Sequence, residues 1–185
     1  MNQLALTEER KRIFHGVVAI QSPPELVAME VTPELAPQEY LNRIRSVLGP
    51  AVALAQRNNF DVEILPTNSI PVWFSEVSNG APNVSNLLSN SAHSGAQRYI
   101  SRLHQNPWDL QEWLFCFDPE RRGWSWWDAT VANSGTVTLW LDTLGEPTVP
   151  WDDFIWLAYV TGALSVNEAT LKSSDEWYAL KKSQE

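Results

Sequence analysis

Two aspartates and three tryptophans occupy positions that an antiparallel hairpin would bring onto one surface. The runs WSWWDATVA and TVTLWLD are separated by NSG, which suits a three-residue hairpin loop with Gly135 at the positive-φ position. In that register Val131 faces Val137, Ala129 faces Leu139 and Trp127 faces Leu141, giving one uniformly apolar face. The other face carries Trp124, Trp126 and Asp128 on one strand and Trp140 and Asp142 on the next. Asp128 and Asp142 are then diagonal neighbours about 7 Å apart. Carboxylate pairs at roughly that separation beside aromatic platforms are what glycoside hydrolysis uses. The same indoles without the acid chemistry would stack on sugars, or anchor a protein partner.

The composition around this surface is uneven. Eight of the ten tryptophans fall between Trp108 and Trp156. Residues 1–60 hold six acids and six Lys or Arg, so the net charge of −9 arises wholly in residues 61–185. Between Asp109 and Asp153 there are nine acids against Arg121 and Arg122 alone. Nucleic acid is a poor partner for such a surface, because binding it rests on Lys and Arg neutralising phosphates. A basic protein fits better, with Trp124, Trp126 and Trp140 as anchors and Asp128, Asp142, Asp152 and Asp153 as steering charges.

Motifs for other chemistry are missing from the sequence. No Gly-rich phosphate loop, GxGxxG, GxSxG or HExxH is present. His93 and His104 fall on one expected helix but about 16 Å apart along it, too far to share a metal. His15 and the single cysteine, Cys116, lack ligand-spaced partners, so neither a metal nor another cofactor is expected. Cys116 sits in an apolar run, where a thiol behaves as a small hydrophobe rather than a nucleophile.

A small, acidic chain without catalytic motifs resembles in general character the immunity proteins that neutralise bacterial toxins. That resemblance implies a non-catalytic inhibitor or immunity-type protein binding a basic partner such as a toxin. Two other classes stand beside it: carbohydrate binding or hydrolysis on the same Trp/Asp face, and an accessory subunit of a larger assembly. The N-terminal residues lack the apolar run of a signal peptide, and no apolar stretch reaches the ~20 residues a spanning helix needs. The expectation is therefore cytoplasmic, with no membrane partner.

The elements that must position these residues follow from periodicity. The fold expected is α+β: an antiparallel three-stranded meander over about 110–142, packed on a buried helix over about 151–161, with further helices from the N-terminal half. Its strands would be QEWLFCFD, WSWWDATVA and TVTLWLD. Residues 1–185 read as one globular domain. Residues 1–36 read as largely irregular, with a short helix TEERKRIFH, a possible strand VVAI and a proline-rich loop from Gln21 to Ala36. Pro37 opens a helix that Gly49 and Pro50 end, a second runs from about Ala51 to Asn58, and DVEIL alternates as a strand. Further helices are expected over about 71–79 and 92–105. Pro150 starts the buried helix, whose acids lie in the first turn. Capping-box patterns at Ser165/Glu168 and Ser173/Glu176 announce two short terminal helices, the second returning Trp177 to the body.

Overall fold

The computed structural model describes residues 1–17, 22–80 and 87–184, which form seven helices and a five-stranded antiparallel sheet. Helix α1 (Gln3–His15) starts four residues before the expected position, because the Asn2 side chain accepts the Ala5 N–H at 2.9 Å and caps it. Most of the possible strand VVAI lies outside the described residues. Strand β1 (Glu25–Pro33) replaces the expected loop. Pro23 and Pro24 precede it and Pro33 closes it at a register shift, so the prolines bracket the buried run Leu26 to Met29 instead of breaking it.

Helix α2 (Pro37–Arg57) runs straight through Gly49 and Pro50, where two helices were expected. Burial of Val47, Leu48, Ala51 and Val52 against the core carries it past the N–H that proline lacks. Gly49 serves packing here: a Cβ at this position would lie 2.3 Å from the Phe14 ring of α1. DVEIL is not a strand; Val62 and Ile64 are exposed, and the chain is fastened just after them by Gln111, which bonds both the N–H and the carbonyl of Leu65. Helix α3 (Val72–Ser78) and helix α4 (Leu87–Leu103) follow.

The segment expected as the first meander strand is a helix, α5 (Leu110–Phe115). The Asp109 carboxylate accepts the N–H groups of Gln111 and Glu112 at 2.8 and 3.3 Å. Leu110, Trp113, Leu114 and Phe117, all buried, recur at i, i+3, i+4 and i+7. Strands β2 (Ser125–Val131) and β3 (Val137–Asp142) form the expected hairpin, with Gly135 at φ 86°. The third partner is β1, which pairs with β3 from Val27↔Leu141 to Val31↔Val137.

Helix α6 (Asp152–Val160) is buried as its all-round apolar pattern implies. It lies against α4 so closely that a Cβ on the buried Gly95 would sit 1.9 Å from the carbonyl oxygen of Tyr159. Gly95→Ala should therefore push the two helices apart and destabilise the protein by about 1–3 kcal/mol, read as a shift in denaturation midpoint at unchanged slope. A loss below about 0.5 kcal/mol, the range of an ordinary surface change, would contradict this close crossing.

Ser165 and Glu168 do not begin a helix: strands β4 (Ala163–Val166) and β5 (Thr170–Ser173) lie there. Both use the edge of β1 that β3 leaves free, β4 near Val31 and β5 beside Glu25 to Ala28. Ser173 does cap the terminal helix α7 (Ser174–Lys182), which buries Trp177. The sheet thus separates two apolar layers. The larger takes Val27, Met29, Val31, Ala129, Leu139 and Leu141 together with most helices. The smaller holds Leu26, Ala28, Trp127, Trp140 and Trp177.

Candidate binding site

The expected register holds at Val131↔Val137 and Ala129↔Leu139 and then breaks. A β-bulge between Trp126 and Asp128 makes Trp126, not Trp127, the partner of Leu141. One extra residue inverts the faces of everything before it. Trp126 and Trp124 join the large core, while Trp127 moves beside Trp140 in the small one. The three indoles expected to share an outer surface are thus split between two layers and buried, with exposures of 3% or less.

The two acids of the hairpin have different partners. Asp128 is buried opposite Trp140, where it accepts the Trp177 indole N–H at 3.2 Å and pairs with Lys181 at 2.9 Å. Asp142 pairs with Ser125 in the ladder, beyond the bulge, and its carboxylate caps the following turn through the Leu144 N–H. Asp128 still stands opposite Trp140, two residues from Asp142 along β3, but its buried carboxylate is committed to the Trp177 indole and Lys181 while that of Asp142 caps a turn.

Three of the expected residues do meet elsewhere. Trp124, Asp152 and Asp153 line a concavity of about 330 Å³ between the loop before β2 and the connection from β3 to α6. Trp108, Val149 and Pro150 add apolar wall, and Glu120 and Glu146 stand with the two aspartates. A hydrogen-bond chain sets one side: the Trp108 indole donates to the Tyr99 hydroxyl (3.1 Å), which donates to Gln105 Oε1 (2.6 Å), whose amide donates to Asp152 Oδ1 (3.2 Å). These bonds fix both an aromatic wall and a carboxylate of the rim.

The opposite side rests on a buried ion pair. Both terminal nitrogens of Arg122 donate to Glu9 of α1, at 2.8 and 2.7 Å, and both side chains are fully buried. Glu9 Oε1 also accepts the Trp126 N–H at 2.7 Å, the backbone donor at the bulge. The guanidinium lies 4.3 Å from the Trp124 ring centroid and 4.7 Å from that of Phe117, an arrangement favoured by the negative ring faces. Trp124 is thereby held in place, with its N–H donated to Asp153 Oδ2 at 3.1 Å.

Burial pushes the Asp153 carboxyl up from 3.8 to about 6, against the opposing pull of the Trp124 indole, the Phe154 backbone and Arg122. Cys116 also lines the concavity, at the end of α5 and not in a strand. Burial, reinforced by Asp153, lifts its thiol to about 12. It is therefore protonated at neutral pH and unsuited to act as a nucleophile. Among the described residues no group of three or more His, Cys, Asp or Glu is placed to hold a metal, and no helix is long and apolar enough to cross a membrane.

Trp108, Glu120, Glu146, Arg122 and Glu9 were not singled out from the sequence. A signal for part of the set was present: the start of one hairpin strand and the end of the next lie together, so the PERRG and GEPTVP turns must be neighbours. Glu9 carries no such signal, being 113 residues from Arg122. Comparisons with protein-family models, with curated proteins and with solved structures give no match for this chain.

Proposed function

We propose that the protein is a non-catalytic binding protein, of inhibitor or immunity type, that receives a basic side chain of a protein partner in the concavity beside Trp108 and Asp153. The observation that carries this reading is the charge left over in the wall. Arg122 is committed to Glu9, and Arg121 lies 3.6 Å from Asp118. Glu120, Glu146, Asp152 and Asp153 have no ion-pair partner among the described residues. Apolar walls with unneutralised carboxylates suit the aliphatic stem and charged head of Lys or Arg.

The reading moves the expected interaction surface while keeping its chemistry. Asp152 and Asp153 remain the charges that meet the partner, Trp124 forms part of the wall, and Trp108 takes the place of Trp126 and Trp140 as the accessible indole. Glu120 and Glu146, both exposed, steer the approach.

A tryptophan-fluorescence titration with a lysine- and arginine-rich peptide, and with an uncharged peptide of equal length, tests it. Saturable binding of the basic peptide alone is expected. Asp152→Asn with Glu146→Gln should weaken binding at least tenfold at low salt, and raising the salt should reduce the wild-type advantage. Equal binding by wild type and variant would place the interaction elsewhere.

A further inference from the structure

The face of the sheet turned away from the large core is covered by helix α7. Helix α7 contributes one buried residue, Trp177, whose ring meets Trp127 edge to face at 5.6 Å. Its N–H is accepted by buried Asp128, and Lys181, one turn further along α7, reaches the same carboxylate. The occupant is thus an indole and a cation at i and i+4 on one helix, received by an aromatic wall and a single carboxylate.

The occupant is lightly held. Tyr178 and Leu180 of α7 are each about half exposed, as is Leu171 of β5, so Trp177 is the one large side chain the helix buries fully. Beyond Trp177 and Lys181, Gln184 bonds the Val131 carbonyl and Glu176 pairs with Lys172 of β5 at the surface. The Trp127 indole N–H is buried in this cluster without an acceptor, as is that of Trp126 in the large core, and such a donor is costly. A ligand that brought an acceptor to it would satisfy the face better than α7 does.

We infer that α7 is an internal ligand covering a binding surface for a helical segment that carries an aromatic residue followed four positions later by Lys or Arg. A partner presenting that pair displaces α7 and takes up Trp127, Trp140 and Asp128. This surface lies on the other side of the sheet from the core-side indoles Trp124 and Trp126 and shares none of the residues assigned to the concavity, so its test is independent of the reading above.

The probe is a synthetic peptide of residues 170–184, added to the full chain bearing Trp177→Ala and Lys181→Ala. The emptied site should bind the peptide 1:1 and at least tenfold more tightly than the wild-type chain does, because the wild type must first release its own α7. A peptide with glutamate replacing the lysine at position 181 should lose at least tenfold. A folded double variant that fails to bind, or wild type that binds equally well, overturns the proposal. Native-state hydrogen exchange on the unaltered chain gives a second readout that needs no variant. The amides of α7 should exchange by an opening that leaves β3 protected; release of α7 only together with β3 overturns the proposal as well.

Discussion

Glu9→Ala is expected to destabilise the protein by about 3–5 kcal/mol, the range for removing one partner of a buried ion pair. Three losses coincide at this residue. Arg122 keeps its charge in a fully buried position, the Trp126 N–H at the bulge loses its acceptor, and α1 loses one polar attachment to β2 while keeping the Arg12 bond to the Trp126 carbonyl. Replacement by Gln preserves an acceptor for Trp126 and should cost less than Ala. Removing both charges, as Glu9→Leu with Arg122→Met, should recover part of the loss, because no uncompensated charge is then buried. Denaturation curves of the four proteins decide the matter. A cost below about 1 kcal/mol for Glu9→Ala would show that the pair is solvated or dispensable. A cost in the expected range together with loss of peptide binding would tie the stability of the Arg122 support to the shape of the concavity.

The effect of Asp153→Asn on stability should grow as pH rises. The carboxyl titrates at about 6 in the folded protein instead of 3.8, so the folded state retains its proton to higher pH than the unfolded chain. Its favourable contribution is complete below about pH 4, declines as pH rises through 6, and is gone above that. At pH 8 the ionised carboxylate is therefore a burden of up to about 3 kcal/mol, from two pKa units at 1.36 kcal/mol each. The amide variant should be more stable than wild type at pH 8 by an amount approaching that figure, and close to wild type at pH 4. The same substitution should weaken binding of the basic peptide, since the cation that offsets the buried charge then has no charge to meet. A site that becomes more stable and less able to bind when one residue is neutralised fits a carboxylate retained for binding. Stability of the variant parallel to wild type across pH 4 to 8 would remove Asp153 from this role.

How much of this was legible in the sequence depended on whether one period dominated. The 151–161 helix and the NSG hairpin were clear because every neighbour supports them: Pro150 and two acids at the start of one, Gly135 in the turn of the other. The run at 110–117 satisfies two templates, since aromatic residues favour strands while Leu110, Trp113, Leu114 and Phe117 hold a helical spacing. The Asp109 cap, a single side chain, marks the helix. Strand β1 was hidden by prolines that lie at its boundaries, a positional distinction that composition does not make.

The strand faces differ from the expected ones for a narrower reason. The β-bulge adds one residue, and a period-two pattern reverses all assignments beyond that point. WSWW offers tryptophans in both phases, so nothing in its alternation reveals the slip. What selects the bulged register is the Trp126 N–H turning to Glu9 of a distant helix, a contact no local reading supplies. Asp152 and Asp153 survived the correction because a helix start, and not strand phase, places them.

The central claim is that a basic side chain enters the concavity between Trp108, Trp124 and Asp153. Its most direct test is an NMR titration of the assigned indole N–H signals with the lysine- and arginine-rich peptide at pH 7. The account predicts saturable shifts at Trp108 and Trp124, whose N–H groups are bonded to Tyr99 and Asp153, with Trp127, Trp140 and Trp156 unmoved. Shifts confined to other indoles, or none at peptide concentrations that saturate fluorescence, would contradict it.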